Sequence, residues 1–159
     1  MKSTGELRLY PGNGNGRFKT MKRIGTGWQG MKNLALANTA EGPGIYGTSR
    51  GTLLFYPAQG NSGGGFKARK DVASGWGNVS SIIAVGDWTG DRQPDLLTTD
   101  AAGILYLHKG GKTATPGARV QVGHGWANMR IVGAANQKTA KGPIWAVDKN
   151  GKLLSYRVR

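Results

Sequence analysis

Short apolar segments separated by glycine-rich turns recur along the whole chain. A segment of the form Gly-x-Leu that ends in Tyr or His occurs at residues 5–10, 51–56, 103–108 and 151–156. A Gly-Trp pair occurs at Trp28, Trp76 and Trp126. Several segments alternate apolar and polar residues, and none sustains apolar positions at a spacing of about 3.6 residues. The pattern therefore predicts an all-β protein with essentially no helix.

Two further apolar segments lie between each Gly-Trp pair and the next Gly-x-Leu segment. The first kind is short and rich in Ala and Gly, at 34–37, 82–85 and 131–134. The second kind lies at 45–48, 96–99 and 144–147. A tight Asp-x-x-Gly turn leads into the Gly-x-Leu segment, and a basic alternating segment then runs up to Gly-Trp, as at 18–24 and 66–72. Each unit thus predicts four antiparallel strands.

The units repeat with a period of just under fifty residues. We place repeats at 5–50, 51–102 and 103–150 within a single domain over 1–159, with 151–159 as an extra strand. Four strands at this period match the blade of a β-propeller, and a chain of about three blades is too short to close a ring. The sequence therefore predicts closure by oligomerisation, most simply a homodimer of about six blades, or membership of a longer propeller.

Composition narrows the class of protein further. Glycine reaches 28 residues, scattered as turn-forming pairs, and cysteine is absent, so there is neither a disulfide framework nor thiol chemistry. No apolar run approaches the roughly 18 residues of a membrane-spanning helix. No apolar stretch follows the first five residues, so this form carries no signal peptide. Because a repeat begins at Gly5, we expect a mature or trimmed piece of a secreted chain.

Positive charge is the strongest compositional signal, with 22 Lys and Arg against 8 Asp and Glu and a net charge of +14. Such a surface attracts polyanions, whether nucleic acid, anionic cell-wall polymers or acidic membrane surfaces. Lys and Arg on an outer strand also prevent edge-to-edge aggregation, and this structural explanation stays open. Nucleic acid is not favoured, because no groove-reading motif occurs and the basic residues are spread over several segments.

One loop concentrates oxygen ligands in this basic chain. Oxygen ligands occur at every second position. They are the side chains of Asp87, Thr89, Asp91 and Asp95 and the backbone carbonyl of Gln93. This spacing lets a tight loop wrap a Ca²⁺ ion with hard oxygen ligands. The alternative is an Asp-rich turn held by ordinary side-chain to backbone hydrogen bonds. The corresponding loops at 38–43 and 136–143 lack these carboxylates, and Lys138 and Lys141 would oppose a cation.

The segment 87–91, continued by 95–97, resembles FG-GAP repeats, also called VCBS repeats, which build the integrin α-chain propeller and many bacterial secreted modules. The resemblance covers nearly the whole chain as repeat architecture, whereas the calcium motif matches fully in one unit. It implies that the matching carboxylates bind Ca²⁺ and brace a blade without catalysing a reaction. The family pattern has Gly where Arg92 stands, so the resemblance implies a weakened metal site.

The segments 7–18 and 24–28 are similar, more particularly, to C-terminal propellers of actinobacterial cell-wall lysozymes, amidases and peptidases. A looser similarity links the Ile-Gly-x-Gly-Trp block at 24–28 to tachylectin-type and integrin-like fungal lectins, which bind N-acetylglucosamine between blades. These resemblances imply an extracellular or cell-wall-associated protein and a glycan or cell-wall polymer as its partner.

Aromatic residues at equivalent positions are the candidate ligand-binding residues. They are Trp28, Trp76 and Trp126 after the glycines, and Tyr10, Tyr56, His108 and Tyr156 at the ends of the Gly-x-Leu segments. An indole presents a flat apolar face to the C–H groups of a sugar, which favours a binding role. The alternative is packing between adjacent blades, an interface that repeated aromatic side chains commonly fill.

Catalysis finds little support in the sequence. Only His108 and His124 are present, in separate segments, and no nucleophile elbow, zinc-binding His pair or Cys-His pair occurs. We therefore predict a non-enzymatic, lectin-like propeller module that recognises cell-wall or amino-sugar polymers. Three alternatives stay open: a protein-interaction or assembly module of a secreted protein, polyanion binding through the basic surface, and an enzyme accessory segment with no binding of its own.

Overall fold

The computed structural model describes residues 4–60, 65–133 and 143–156, and these residues form an all-β protein of four antiparallel sheets. Within these ranges the only helical element is a single 3-10 turn over Trp28–Gly30. The same part of the chain contains no helix long and apolar enough to cross a membrane. The predicted loop at 136–143 and the predicted strand end at 157–159 fall largely outside the described residues.

The sheets follow one another along the chain. The N-terminal sheet contains β1 (Leu7–Leu9) and β2 (Lys22–Gly25). The first four-stranded sheet contains β3 (Lys32–Thr39), β4 (Gly42–Ser49), β5 (Thr52–Pro57) and β6 (Lys70–Ala73). The second four-stranded sheet contains β7 (Val79–Gly86), β8 (Asp95–Asp100), β9 (Leu105–His108) and β10 (Arg119–Gly123). The C-terminal sheet contains β11 (Arg130–Val132), β12 (Ile144–Val147) and β13 (Leu153–Tyr156).

The Asp-x-x-Gly segments form the tight turns that the sequence predicts. The amide of Gly103 donates to the carbonyl of Asp100, and Gly151 donates to Asp148 in the same way, both over 3.1 Å. Both glycines adopt positive φ, 76° and 82°, which a residue with a side chain rarely adopts. The Ile104 amide bonded to Asp100 holds the pKa of that carboxyl below its usual range. These turns fix the register between the second and third strands in the second four-stranded sheet and in the C-terminal sheet.

The basic fourth strands are shorter than the alternating pattern predicts. The pattern at 18–24 gives a strand only over Lys22–Gly25, and Phe18 makes an isolated bridge to Gly12. The pattern at 66–72 gives a strand only over Lys70–Ala73, with an isolated bridge between Phe66 and Ala58. In both cases the glycine-rich loop pairs with itself through one bridge before the regular ladder starts. Alternation alone does not reveal where such a ladder begins.

Adjacent sheets pack face to face through apolar side chains. One core cluster joins the first and second four-stranded sheets, through Ala35, Tyr46, Leu53, Phe55, Trp76, Ile82, Ala84 and Leu96. A second cluster joins the second four-stranded sheet to the C-terminal sheet, through Ile83, Leu97, Leu105, Leu107, Trp126, Ile144 and Ala146. A third cluster joins the N-terminal sheet to the first four-stranded sheet, through Leu7, Trp28, Ile45 and Leu54. Each four-stranded sheet is therefore apolar on both faces.

The first strands of successive sheets lie beside one another. The Asn33 side-chain amide donates to the Val79 carbonyl over 2.8 Å, which ties β3 to β7. Gly133 lies so close to β7 that an added Cβ would fall 2.3 Å from Ile83 and 2.6 Å from the carbonyl oxygen of Ala84. Small residues are required here because two backbones approach closely, which accounts for the Ala- and Gly-rich character of these strands.

The loop between β9 and β10 reaches back over the junction of the two four-stranded sheets. Ala114 in this loop is buried, its amide donates to Glu41, and its carbonyl accepts a 2.5 Å hydrogen bond from the Tyr46 hydroxyl. Burial raises the pKa of Tyr46 well above its usual range, while Lys70 and the Ala114 amide lower the pKa of Glu41. We call this set of contacts the Ala114 clasp.

Apolar side chains remain exposed on the two outermost faces of the stack. On the first four-stranded sheet, Leu36 is 70% exposed beside a groove of about 580 Å³ next to the N-terminal sheet. On the C-terminal sheet, Val132, Trp145 and Leu153 are 63%, 43% and 62% exposed. Among the described residues the sheets do not close into a ring. The outer face of the C-terminal sheet therefore lacks a neighbouring sheet, and the two-stranded N-terminal sheet covers only part of the face that carries Leu36.

Candidate functional site

The three Gly-Trp segments make the same backbone hydrogen bond. The Trp amide donates to the carbonyl of the glycine that opens the preceding Gly-x-Leu segment, in the pairs Trp28 to Gly5, Trp76 to Gly51 and Trp126 to Gly103, over 2.8–2.9 Å. Each of these glycines has a positive φ. The bond fixes the end of the fourth strand against the start of the third and directs the indole towards the next sheet.

The predicted aromatic residues come together in pairs across the junctions between sheets. Each indole lies against the aromatic ring at the end of the next Gly-x-Leu segment, with centroid distances of 4.4 Å for Trp28 and Tyr56, 4.8 Å for Trp76 and His108, and 4.4 Å for Trp126 and Tyr156. All three indoles are buried. Six of the seven candidate ligand-binding residues therefore form the packing of the junctions, and one face of each indole is covered by protein.

Tyr10 is the exception among these aromatic residues. It occupies the position of Tyr56 and Tyr156 in its own segment, yet its side chain is 52% exposed. Its aromatic contact in the described part of the chain is an edge-on approach to Phe18 at 6.3 Å. No tryptophan within the described ranges covers it, because the three that could do so contact other rings.

His108 is held as a neutral imidazole at the middle junction. Its Nδ1 lies 3.2 Å from the Gly117 carbonyl oxygen, and its Nε2 lies 3.0 Å from the Thr98 hydroxyl. Because a carbonyl only accepts, Nδ1 carries the proton and Nε2 accepts from Thr98. Burial lowers the pKa of His108, and Arg119 lowers it further. Both ring nitrogens are thus engaged in structural bonds.

A polar cleft of about 390 Å³ opens beside the Trp76–His108 pair. We call it the junction cleft. Its rim carries Asn78, which directly precedes β7, and Asp100, Tyr106 and Arg119 from the second four-stranded sheet. The Arg119 guanidinium lies 4.6 Å from the centre of the Tyr106 ring, and the Tyr106 hydroxyl donates to Asp100 over 3.2 Å. The cleft therefore combines an aromatic floor with a carboxylate, a phenol, an amide and a guanidinium.

Sequence reasoning did not identify Tyr106, Arg119, Asp100 and Asn78 as site residues. A signal for Tyr106 is present, because it lies two positions before His108 on a strand and so faces the same side of the sheet. Arg119 and Asn78 enter the cleft from a loop-strand boundary and from the residues after Trp76. Their position depends on how two sheets pack, which strand alternation does not specify.

The acidic loop between β7 and β8 brings three carboxylates together. One oxygen from each of Asp87, Asp91 and Asp95 lies within 4.8 Å of the others. The carboxylate of Asp95 is 1% exposed and accepts from the amides of Trp88, Thr89 and Gly110 over 2.8–2.9 Å. Asp95 thus ties this loop to the loop after β9 through hydrogen bonds to backbone amides.

Backbone amides also hold the other two carboxylates of the loop, those of Asp87 and Asp91. Asp87 accepts from Gly90 and Arg92, and Asp91 accepts from Gln93, all over 2.7–2.9 Å. Arg92 adopts a φ of 67°, the left-handed conformation that favours the glycine of the family pattern. The site's carboxylates are therefore held in place by Asx-type turns with local strain at Arg92.

The donor set of this loop fits a hard cation. Three carboxylates converge, and the hydroxyl oxygen of Thr89, at the third position of the spacing, is buried with no hydrogen-bond partner among the described residues. Hard oxygen ligands of this kind suit Ca²⁺. An oxygen that accepts one amide, such as Oδ1 of Asp91 or Oδ1 of Asp95, keeps a second lone pair for a metal, whereas Oδ2 of Asp95 accepts two amides. Within the described ranges these carboxylates accept hydrogen bonds from backbone amides.

Comparison with known proteins adds no relative to this description. No protein-family model, no curated protein and no solved structure matches the chain. The fold and the site together define an all-β protein of stacked antiparallel sheets, with aromatic pairs at the junctions and a polar cleft beside the middle pair. The resemblance to FG-GAP repeats rests on the motif residues themselves.

Proposed function

We propose that this protein is a non-catalytic glycan-binding module of propeller type, with the junction cleft as its binding site. The observation that carries the proposal is the junction cleft itself, a polar depression of about 390 Å³ with an aromatic floor. Small-ligand pockets are typically roughly 300–1,000 Å³, so the volume suits one or two sugar residues. Amino-sugar polymers of a cell wall are the proposed ligand class, and an extracellular or cell-wall location follows from them.

The chemistry of the cleft suits a sugar in two ways. The apolar C–H face of a pyranose ring can lie on the floor made by Trp76 and Val79, while its hydroxyls meet the rim. Asp100 accepts hydrogen bonds, Arg119 donates them, and Asn78 does both. Trp76 acts here as a buried floor rather than as an exposed stacking platform, because His108 covers one face of its indole.

Retention on purified peptidoglycan and on chitin, with N-acetylglucosamine as competitor, tests this proposal. Arg119→Ala should reduce retention several-fold, because it removes the main donor of the rim. Arg17→Ala is the matched control, since it removes the same charge from an exposed loop distant in sequence from the cleft. An equal loss in both variants, or retention that ignores the free sugar, contradicts a binding site in the junction cleft.

A second candidate function is polyanion binding through the basic surface, which the net charge of +14 favours. Binding of this kind releases counterions and weakens steeply as salt rises. Retention on an anionic wall polymer that falls by more than about tenfold between 50 and 200 mM salt would support it. A weak salt dependence together with competition by free sugar favours the junction cleft instead.

We also propose that the acidic loop binds one Ca²⁺ ion that braces the turn between β7 and β8. Asp87, Thr89 and Asp91 would hold the ion together with Asp95 and the backbone carbonyl of Gln93. The strained φ of Arg92 and its positive charge favour a weak site. Calcium should raise the melting temperature of the protein, and Asp91→Asn should abolish that rise while leaving the metal-free melting temperature nearly unchanged, because Asp91 is exposed.

In this proposal each four-stranded sheet is a propeller blade, and the ring closes by association of chains. The exposed apolar faces at the two ends of the stack support self-association, with a homodimer of about six blades as the simplest ring. They equally suit a protein-interaction or assembly module, in which another protein covers the same faces. Measurement of the mass in solution separates a self-associating chain from a monomer.

A further inference from the structure

Two strands of the chain occupy the same place in the strand pattern. The strand β1 lies in the segment 5–10 and β13 lies in the segment 151–156, and both segments begin with Gly and end with Tyr. Their equivalents, β5 and β9, are hydrogen-bonded on both edges, to a second and to a fourth strand. In the described part of the chain β1 pairs only with the fourth-type strand β2, and β13 pairs only with the second-type strand β12. The two incomplete sheets therefore lack complementary strands.

The exposed faces at the two ends are also of complementary kinds. Trp145 holds the register position of Tyr46 and Leu97, which face the following sheet in the two inner junctions. Leu36 holds the position of Ala84, which faces the preceding sheet. The outer face of the C-terminal sheet and the groove beside Leu36 thus present the same two surfaces that already pack together twice within the chain.

Tyr10 marks the same gap. In the three complete pairs, the aromatic residue that ends a Gly-x-Leu segment lies against the tryptophan before it. Tyr10 lacks such a partner among the described residues. Trp126 contacts Tyr156 on β13, a strand with largely exposed side chains, of which Leu153 is 62% exposed. Each of the three Gly-Trp tryptophans already has an aromatic partner, so Trp126 becomes available to Tyr10 only if Tyr156 leaves it.

We propose that a second copy of this chain completes these sheets by strand exchange: β1 and β2 of one copy replace β13 beside β12 of the other. The inference rests on the proposed propeller assembly. Each composite sheet then has four strands, in the order β11, β12, β1 and β2, with the last two from the other copy. Tyr10 takes the place of Tyr156 against Trp126, and the C-terminal sheet covers the groove beside Leu36.

The exchange replaces β13 by the equivalent strand β1 and adds a fourth strand to the sheet. The hydrogen bonds between β12 and β13 are lost, and equivalent bonds between β12 and β1 are formed in their place. The gain is the additional fourth strand β2 and the burial of the apolar side chains on both outer faces. Because the contact joins two different faces, two of them close a ring of two copies. Each copy carries a charge of +14, so added salt should strengthen the association.

The register predicts which residues meet across the exchanged pair. In the chain as described, Trp145 lies opposite Ser155 and Val147 lies opposite Leu153. Leu9 follows Gly5 at the same distance at which Ser155 follows Gly151, so the exchange places Leu9 of one copy opposite Trp145 of the other. Residues opposite each other in an antiparallel pair have Cα atoms about 4.5–5.5 Å apart, which a disulfide can span.

Engineered cysteines test this contact, since the chain has none of its own. Leu9→Cys and Trp145→Cys variants, mixed and oxidised, should give a covalent dimer of twice 16.8 kDa. Each variant alone should give at most a small fraction of it, because in a dimer of identical copies each cysteine lies opposite an unchanged residue and not opposite a second cysteine. A mixture that yields no more dimer than the single variants overturns the exchange.

A locked chain provides the matched control. Trp145→Cys with Ser155→Cys in the same chain should form a disulfide that keeps β13 on β12. If the exchange occurs, the oxidised variant is monomeric by sedimentation, while the unmodified chain at the same concentration has twice the mass and reduction restores association. A dimer that survives oxidation, or an unmodified chain that is monomeric at about 100 μM, overturns the proposal. Glycan retention by the locked monomer, measured in parallel, shows whether the junction cleft works without the exchange.

Discussion

Equivalent positions of the strand pattern are buried in the middle of the molecule and exposed at its two ends. Leu97 is fully buried in the junction between the second four-stranded sheet and the C-terminal sheet, whereas Trp145, at the same register position one sheet later, is 43% exposed. Both are large apolar side chains on the second strand of their sheet. The neighbouring sheet, and not the strand's own sequence, decides whether a position belongs to the core.

The junctions also concentrate the polar contacts that the ends lack. Between the two four-stranded sheets lie the Ala114 clasp, the bond from Asn33 to Val79 and the aromatic pair of Trp76. On the outer faces the described residues present mainly apolar side chains, such as Leu36 and Leu153. Stability should therefore reside in the junctions, and association at the ends.

The largest expected effect comes from truncating the indole of the middle junction. Trp76→Ala should lower the free energy of unfolding by about 3–5 kcal/mol, because it removes a buried ring and leaves a cavity against His108. Trp145→Ala is the control at an exposed indole, and it should change the value by less than about 1 kcal/mol in the monomer. Urea unfolding followed by fluorescence at dilute concentration measures both. Similar losses in the two variants would remove the distinction between junction and end.

The next effect concerns the buried carboxylate of the acidic loop. Asp95→Ala should destabilise the metal-free protein by at least about 2 kcal/mol, because three backbone amides lose their acceptor. Asp71→Ala is the matched control, since the exposed Asp71 side chain makes a surface ion pair with Arg69; it should cost about 0–1 kcal/mol. Thermal unfolding in the presence of a chelator compares them. A small effect of Asp95→Ala would mean that the loop is not tied down through this residue.

A smaller effect distinguishes the three aromatic pairs by pH. Burial lowers the pKa of His108 in the folded protein, so the unfolded chain binds a proton more readily. Stability is therefore fully present above about pH 6.5 and is lost as pH falls below that value towards the folded pKa. In His108→Tyr, which copies the pairs of Tyr56 and Tyr156, this loss below about pH 6.5 should be reduced. Melting temperatures across this range measure it, and identical profiles would contradict the assignment.

The smallest effect on stability is expected at the end of the stack. Leu36→Ser should change the unfolding free energy of the monomer by about 0.5 kcal/mol or less, because the side chain is already in water. It should nevertheless weaken self-association, which sedimentation at increasing concentration measures. A large loss of monomer stability would show that the groove beside Leu36 is already filled within one chain.

Much of the strand pattern could be predicted from the sequence because it depends on local chemistry. The Asp100 and Asp148 turns follow from short-range hydrogen bonds and from glycines at positive φ. The all-β character follows from short apolar segments with turn residues between them. These features require only neighbours within a few residues, which a sequence displays directly.

The candidate site could be predicted only in part, for a physical reason. The sequence identified Trp76 and His108 as aromatic positions, but their contact joins two sheets and leaves little of the indole free. Similarly, the acidic spacing suggested Asp95 as a metal ligand, while its bond to the Gly110 amide depends on a loop fifteen residues away. Contacts between elements arise from packing, and no local pattern encodes them.

The Ala114 clasp has a consequence for the motions of the molecule. The loop that carries it also supplies Gly117, whose carbonyl holds His108 at the floor of the junction cleft. Separating the two four-stranded sheets would therefore pull on the cleft floor at the same moment, so both would open as one cooperative unit. The Ala114 amide should then exchange its hydrogen with solvent about as slowly as the core strands, and a ligand seated in the cleft should slow that exchange further.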